Sequence, residues 1–183
     1  MPLTKLPNKI INKYKKWKAD SFVKNKTTYK KLASEGQSPI AMIISCCDSR
    51  VHATSMFGAE TGEFFIHRNI ANLIPPYNPD GDHHGTSAAI EFAVCALKVP
   101  HIIVLGHSNC GGIKNGYHLC KGDQVNEEFQ FVNKWLDILK PAYDMLVQLS
   151  DEKAMISMLE KQSIKNSIQN LSEFPFVQKA LNS

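Results

Sequence analysis

Short apolar runs alternate with helical patterns through the first part of this chain. The runs predict buried strands at residues 40–45, 63–67 and 101–106, each bounded by polar or turn-forming residues. Between the last two strands, residues 86–98 predict an amphipathic helix whose apolar face is expected to hold Ala89, Phe92, Ala93 and Ala96. Strands that alternate with helices predict an α/β fold, in which helices flank a parallel central sheet.

The segments on either side of this sheet are helical in pattern. Residues 8–34 predict an N-terminal helical arm, interrupted near Ser21–Asn25, with a stripe expected to be buried that consists of Ile10, Tyr14 and Trp17. Beyond Asp123 the pattern is helical to about Leu171 and restarts at Pro141.

The chain is long enough for one domain and too short for two. Its 183 residues are 43% hydrophobic and 21% charged, which is ordinary globular composition. We divide this single domain into an N-terminal helical arm at 1–34, a metal-site core at 37–112 and C-terminal helices at 123–183. Within the core, residues 53–57 predict a short helical turn and residues 71–84 predict a loop rich in Pro, Asn, Asp and Gly.

The net charge of +4 is concentrated near the N-terminus, where residues 1–31 hold ten lysines and one acid, Asp20. Such an arm could contact nucleic acid or an acidic membrane surface, or it could be the solvated face of an amphipathic helix. The second interpretation is favoured because no aromatic residues interleave with the lysines as they do in nucleic-acid modules. No run approaches the roughly 18 apolar residues of a membrane span, and no secretory signal is recognisable. We therefore expect a cytoplasmic protein without a nucleic-acid or membrane partner.

Five cysteines, two of them adjacent, do not suit a disulfide framework, so metal binding is the better use of the thiols. Cys46 directly follows the first predicted strand, and His107 and Cys110 follow the third. The carboxyl ends of parallel strands meet at one edge of a sheet, where open α/β sheets place their chemistry. Two thiolates and one imidazole form a soft tetrahedral donor set that suits zinc and leaves a fourth position free. Cys47 should point to the other face, because strand side chains alternate.

Such a zinc site could be structural or catalytic. Structural sites usually carry four protein ligands at short spacings, whereas Cys46 stands alone with Asp48 and Arg50 beside it. A zinc ion that only stabilises the fold needs neither a carboxylate nor a guanidinium, so the spacing favours catalysis and leaves the structural alternative open. Gly111 and Gly112 are expected to reduce side-chain bulk beside the ligands and to permit unusual backbone angles.

Several motifs, in order along the chain, resemble those of the β-class carbonic anhydrases. They are Ile-Ser-Cys-Cys-Asp-Ser-Arg-Val (44–51), Arg-Asn-Ile-Ala-Asn (68–72), Ala-Ile-Glu-Phe-Ala-Val (89–94), Leu-Lys-Val (97–99) and Ile-Val-Leu-Gly-His-Ser-Asn-Cys-Gly-Gly (103–112). The resemblance is strong from about Gln37 to Gly112 and weaker over residues 170–177. The segment Gly36-Gln37-Ser38-Pro39 resembles the plant-type branch of the family.

The resemblance implies an enzyme, a carbonic anhydrase, with one Zn²⁺ per chain held by Cys46, His107 and Cys110. Zinc-bound hydroxide would attack carbon dioxide and give bicarbonate and a proton. Asp48 would accept a hydrogen bond from that hydroxide while paired to Arg50. Some relatives hydrolyse carbonyl sulfide or carbon disulfide with the same ligands. A non-catalytic, zinc-stabilised homologue that binds bicarbonate is a further alternative.

The resemblance also implies a homodimer or higher homo-oligomer whose sites are built across two subunits. Gln37 would donate to the substrate oxygen in the site of the other subunit, and Phe65 and Phe92 would line the apolar substrate pocket. Ile43 stands where the branch with a bicarbonate inhibitory pocket has Trp, so an open site is expected. Family members usually continue past residues 170–177 with further strands, so the third strand is expected to have an open edge.

Overall fold

The computed structural model describes residues 5–80, 84–123, 126, 128–147 and 150–182. Within these ranges a parallel sheet is formed by β1 (Ala41–Cys46), β2 (Phe64–Asn69) and β3 (Ile102–Leu105), in the order β2-β1-β3. The predicted strands and their parallel arrangement are confirmed. All six residues of β1 are buried, as expected for the central strand of a sheet whose two faces are covered.

The strand register aligns the carboxyl ends of the three strands. Cys46 pairs with Asn69 of β2, and Ser45 pairs with Leu105 of β3. Residues that follow the strands therefore emerge at one edge of the sheet. In the described part of the chain, β3 has a strand neighbour on one side alone, so the expected open edge is present.

The connections between the strands are helical. They contain α3 (Ala53–Met56) and α4 (His84–Glu91), and α4 continues as a π-helical stretch at Phe92–Ala96. The stripe that packs on the sheet agrees with the prediction in part: Ala93 is buried and Ala89 packs against the core, whereas Phe92 is half exposed and Ile90, which was not predicted, is buried. Apolar residues occupy more than one side of this helix, so spacing alone could not choose the buried side.

The helices after β3 are more numerous than predicted. They are α5 (Gly111–Lys121), α6 (Gln130–Leu136), α7 (Lys140–Asp144), α8 (Glu152–Ser172) and α9 (Pro175–Leu181), with a 3₁₀ turn at Asp137–Leu139. Pro141 lies in the first turn of α7, where its missing N–H costs nothing, so the predicted restart is confirmed. The sequence did not predict α5, whose glycines and polar residues weaken the helical signal, whereas α9 lies within the predicted C-terminal helices although the clear helical pattern ends at about Leu171.

Two hydrophobic clusters hold these layers together. One surrounds Cys46 and Cys110 and takes most of its members from α5 to α8, including Ile113, Leu136, Leu139, Met155 and Leu159. The other lies between the sheet, α4 and α9, and includes Met42, Ile44, Ile74, Ile90 and Phe174. The candidate ligands therefore sit at the edge of a packed core.

The N-terminal arm consists of α1 (Asn8–Trp17), a π-helical stretch at Lys18–Phe22 and α2 (Lys26–Glu35). The predicted interruption is confirmed near Asn25, which precedes α2 and has non-helical dihedral angles. The predicted buried stripe is wrong for the single chain, because Ile10, Tyr14 and Trp17 are 52%, 57% and 42% exposed. Trp17 contacts the rings of Phe22 and Tyr29, but no residue of α1 is buried within the described chain. None of the described helices is both long and apolar enough to cross a membrane.

Candidate metal centre

Three candidate ligands converge at the carboxyl edge of the sheet. Cys46 ends β1, and His107 and Cys110 lie in the turn between β3 and α5. One ligand atom from each of these residues lies within 4.8 Å of the others, and the two sulfur atoms are 3.9 Å apart. Both cysteines are buried, while the neighbouring Cys47 is exposed.

The imidazole of His107 is arranged as a metal ligand would be. Its Nδ1 lies 3.0 Å from the carbonyl oxygen of Ser108, which can only accept, so Nδ1 carries the proton and Nε2 carries a lone pair. The Nε2 atom is buried and has no hydrogen-bond partner in the described structure. Leaving such an atom unpaired costs about 1–3 kcal/mol, and a cation between Nε2 and the two sulfurs would remove that cost. The residues present therefore fit a zinc ion.

The contact between the two cysteine sulfurs shifts their pKa values in opposite directions. The hydrogen bond with Cys110 lowers the pKa of Cys46 to about 4 despite its burial, and the amide N–H group of Asp48, the nearby imidazole of His107 and the amide N–H group of Ala71 act in the same direction. The same hydrogen bond and burial raise the pKa of Cys110. The contact thus favours ionisation of Cys46 over ionisation of Cys110, and a bound cation would favour loss of both protons.

Asp48 is held beside the cluster by Arg50. The guanidinium donates from Nε to Oδ1 at 2.9 Å and from Nη2 to Oδ2 at 2.8 Å. These charge-assisted bonds, with the Arg50 backbone N–H, hold the pKa of Asp48 well below its usual range. The same Nη2 donates to the carbonyl of Asn109 at 2.9 Å, so Arg50 also joins the loop after β1 to the loop after β3.

Arg68 and Glu160 hydrogen-bond to the backbone of the site, and the sequence pattern predicted a role for neither. Arg68 donates to the carbonyl oxygens of Cys46, Asp48 and Val51, at distances from 2.7 to 2.9 Å. It lies in one of the matched motifs, but nothing in its spacing indicated a backbone clamp. Glu160 of α8 accepts a hydrogen bond from the backbone N–H of Cys110 at 3.0 Å. The sequence carried no signal for Glu160, because the helical pattern there identified an apolar face alone.

Gly112 lets the start of α5 pack closely against Ile70 and Ala71, and its backbone angles are ordinary. A Cβ atom at this position would lie 2.9 Å from Ile70 Cγ2 and 3.1 Å from Ala71 Cβ. The expected reduction in bulk is therefore confirmed for Gly112, whereas Gly111 has open space around it. The expected unusual angles are wrong for both, since they form the first turn of α5 and neither has a positive φ. Near the site, positive φ values lie instead at Asn109 (54°), directly before Cys110, and at Ala71 (63°) and Asn72 (49°), in the turn against Gly112.

The predicted pocket residues do not lie at the metal centre of their own chain. Phe65 pairs with Met42, which is four positions before Cys46 and hence about 13 Å away along the strand. Phe92 packs against Phe65, with 5.8 Å between ring centroids. Gln37 is exposed and precedes β1 at the opposite edge of the sheet. These three residues share the amino edge, whereas the candidate ligands share the carboxyl edge.

The histidines considered as proton carriers are dispersed. His84 is exposed at the start of α4, and His118 is engaged by Asp123 at 2.8 Å. His83 lies outside the described residues. Their placement singles out none of them as a proton shuttle.

Comparison with known proteins identifies the family to which this geometry belongs. Residues 41–183 match the family model described as carbonic anhydrase. The chain is 36% identical over 165 residues to beta carbonic anhydrase 3 of Arabidopsis thaliana, covering 88% of this chain. The chain spans 62% of the length of that relative.

Solved structures agree in fold. The beta-carbonic anhydrase CcaA superposes with a TM-score of 0.80 at 28% identity, covering 95% of this chain and 77% of that one. A tetrameric beta-carbonic anhydrase of Sordaria macrospora gives a TM-score of 0.78 at 29% identity. The match covers 96% of this chain and 85% of that one. A Coccomyxa beta-carbonic anhydrase in complex with acetazolamide gives a TM-score of 0.80 at 27% identity. The match covers 98% of this chain and 77% of that one.

Proposed function

Since the chain belongs to the β-carbonic anhydrase family, we propose that it catalyses the reversible hydration of carbon dioxide to bicarbonate and a proton. The observation that carries this proposal is the buried Nε2 of His107, which makes no hydrogen bond, in one cluster with two buried cysteines and with the ion pair of Asp48 and Arg50 nearby. A site that only stabilised the fold would have no use for that ion pair.

Cys46, His107 and Cys110 would hold the zinc ion. Bound zinc would act as a Lewis acid and lower the pKa of a water molecule from about 16 to about 7, which makes hydroxide available near neutral pH. The chain contributes two negative ligands and one neutral ligand, so the centre as a whole would be close to neutral. Burial of both cysteines keeps bulk water away from the sulfurs.

Asp48 would orient the nucleophile. An ionised carboxylate accepts hydrogen bonds and donates none, so Asp48 favours a protonated oxygen next to it. Arg50 occupies both carboxylate oxygens and keeps Asp48 ionised. The pair also limits rotation of the carboxylate towards the cluster, so that a zinc ion held there would stay accessible to reactants.

A second copy of the chain would complete the substrate pocket. Gln37, Phe65 and Phe92 are too far along the sheet to reach the metal centre of their own chain, so they would serve the centre of the partner subunit. The outward-facing Ile10, Tyr14 and Trp17 of α1 offer an apolar surface that such a partner would cover. The Sordaria relative is a tetramer, in line with this proposal of a dimer or larger assembly.

Zinc analysis combined with stopped-flow measurement of carbon dioxide hydration tests the proposal. We expect about one zinc per chain and hydration at alkaline pH that disappears when the metal is removed and returns with added zinc. Stoichiometric zinc without hydration would contradict the enzyme and leave a zinc-stabilised binding protein. Hydrolysis of carbonyl sulfide or carbon disulfide in place of hydration would identify the alternative substrates, which no feature of the described chain favours.

A further inference from the structure

Cys110, the residue directly before α5, is both the N-cap of that helix and a candidate metal ligand. Cys110 occupies the N-cap position of α5, with φ −71° and ψ 118°, and its side chain makes no cap hydrogen bond. Its sulfur belongs to the candidate metal cluster and lies near the backbone N–H groups of Gly112 and Ile113 in the first turn of α5. The direction of this sulfur depends on how the backbone of Cys110 is held.

The amide of Cys110 is held from a distant part of the sequence. Glu160, which is 50 residues further along, accepts the N–H of Cys110 on Oε1 at 3.0 Å. A carboxylate is a stronger acceptor than a neutral amide oxygen, and it lies next to the positive end of the α5 dipole. Within the described chain, no other hydrogen bond from this amide is present.

The helix that carries Glu160 is itself firmly anchored. Leu159, adjacent to Glu160, is fully buried, and Ser163, one turn later, is also buried. Further along α8, the hydroxyl of Ser167 accepts the N–H of Ile74 at 3.2 Å. Ile164 packs against Gly106, the residue before His107, so closely that a Cβ there would lie 2.7 Å from Ile164 Cδ1. The position of Glu160 relative to the cluster is therefore set by rigid packing.

We propose that Glu160 is a positioning residue for the metal centre. By fixing the amide of Cys110, its carboxylate directs the sulfur of Cys110 towards Cys46 and His107. Glu160 acts through the ligand and not on the substrate. This inference rests on the proposed function insofar as the cluster binds zinc, but it does not require that the protein hydrate carbon dioxide.

Substitutions of Glu160 test the proposal through metal binding. E160A removes the acceptor, so we expect zinc affinity, measured by competition with a chromophoric chelator, to fall by about 10- to 100-fold. The absorption bands of the cobalt(II)-substituted protein should change as well, since they report the geometry of the thiolate ligands. E160Q keeps a side-chain oxygen at the same reach, so its affinity should stay within a few-fold of wild type and its cobalt spectrum should be retained.

Glu173 provides the matched control, because it lies at the carboxyl end of the same helix with an exposed side chain. E173A and E173Q should bind zinc and cobalt as wild type does. If E160A does not fold, as judged by circular dichroism, E160D takes its place: it withdraws the carboxylate by one methylene and should weaken zinc binding and alter the cobalt spectrum.

Two results would overturn the role of Glu160. One is wild-type zinc affinity and an unchanged cobalt spectrum in E160A or, where that variant does not fold, in E160D. The other is an equal loss in E160Q and E160A, which would mean that charge matters and the hydrogen bond does not. A wild-type protein that binds zinc but does not hydrate carbon dioxide would contradict the proposed function and leave this inference standing.

Discussion

Arg50 holds Asp48 by a two-pronged contact, with Nε at 2.9 Å from Oδ1 and Nη2 at 2.8 Å from Oδ2. The two residues are separated by one position, so the contact is local in sequence. A third contact, from Arg50 to the carbonyl of Asn109, ties this local pair to the loop that carries His107 and Cys110. The pair thus has a defined place beside the cluster of candidate ligands.

Replacement of Asp48 should separate catalysis from metal binding. We expect D48A to retain most of its zinc and to lose about 10²-fold or more in kcat/KM, because the nucleophile loses the acceptor that orients it. Zinc analysis and stopped-flow hydration measure the two effects. D144A is the control, since Asp144 is exposed and pairs with Lys140 far from the loop after β1. Loss of most of the zinc in D48A would instead make Asp48 a ligand.

Adjacent cysteines allow a strict test of the ligand assignment. C46S should lose most of its zinc, because an alcohol oxygen remains protonated at neutral pH and binds zinc poorly. C47S changes an exposed thiol one position away and should keep about one zinc per chain. Metal content after gel filtration distinguishes the variants. Equal zinc content in the two would refute the assignment of Cys46.

Complementation between inactive chains tests whether a site uses two subunits. We expect Q37A to bind zinc but hydrate carbon dioxide slowly, and C46S to lack zinc. In a mixed dimer the zinc-bearing Q37A chain would receive Gln37 of the partner subunit. Unfolding and refolding the two variants together should therefore restore about a quarter of wild-type activity, as random pairing predicts. Refolding each variant alone is the control, and failure of the mixture to gain activity would place Gln37 outside the partner's site.

Thiol reactivity should follow burial outside the metal centre. Burial raises the pKa of Cys120 to about 11, whereas Cys47 and Cys95 are exposed. At pH 8 about a thousandth of the Cys120 side chains are ionised to thiolate. Alkylation of Cys120 by iodoacetamide should therefore be at least ~10-fold slower than alkylation of Cys95. Peptide mass spectrometry of the zinc-loaded protein gives the rates. Modification of Cys120 as fast as Cys95 would mean that the packing around it opens readily.

The half-buried His67 should make the stability depend on pH. Burial lowers the pKa of His67, whose Nε2 lies 3.0 Å from the hydroxyl of the buried Thr86. The unfolded chain binds a proton near pH 6.5 while the folded chain does not, so the free energy of unfolding falls as the pH drops through about 6.5 towards the folded-state pKa. Above this window both states are neutral and His67 contributes no pH dependence.

Urea unfolding of wild type and H67Q between about pH 7.5 and pH 5 measures this contribution. The decline in unfolding free energy should be smaller for H67Q than for wild type. H101Q, which changes an exposed histidine just before β3, should decline as wild type does. Identical declines in H67Q and wild type would show that His67 does not titrate differently on folding.

Local pattern was sufficient for some parts of the fold and misleading for others. The strand β1 was predictable because a short apolar run between polar residues has few alternatives. The helix α5 was not, because its two leading glycines and polar residues weaken a signal that burial of Ile113 and Tyr117 outweighs. The apolar stripe of α1 was predicted to be buried but is exposed in the single chain. Amphipathic spacing shows which residues share a helix face, but it does not show what packs against that face.

The sequence by itself determined the donor set, the ion pair and the family, since these depend on residue identity and on short spacings such as that of His107 and Cys110. Only the tertiary structure decided what surrounds them. It buries Nε2 of His107 without a hydrogen bond, places Glu160 against the backbone N–H of Cys110, and separates Gln37 from the site of its own chain. The physical reason is that burial, hydrogen-bond partners and strand register arise from contacts between segments tens of residues apart. No local pattern of apolar and polar positions records such contacts.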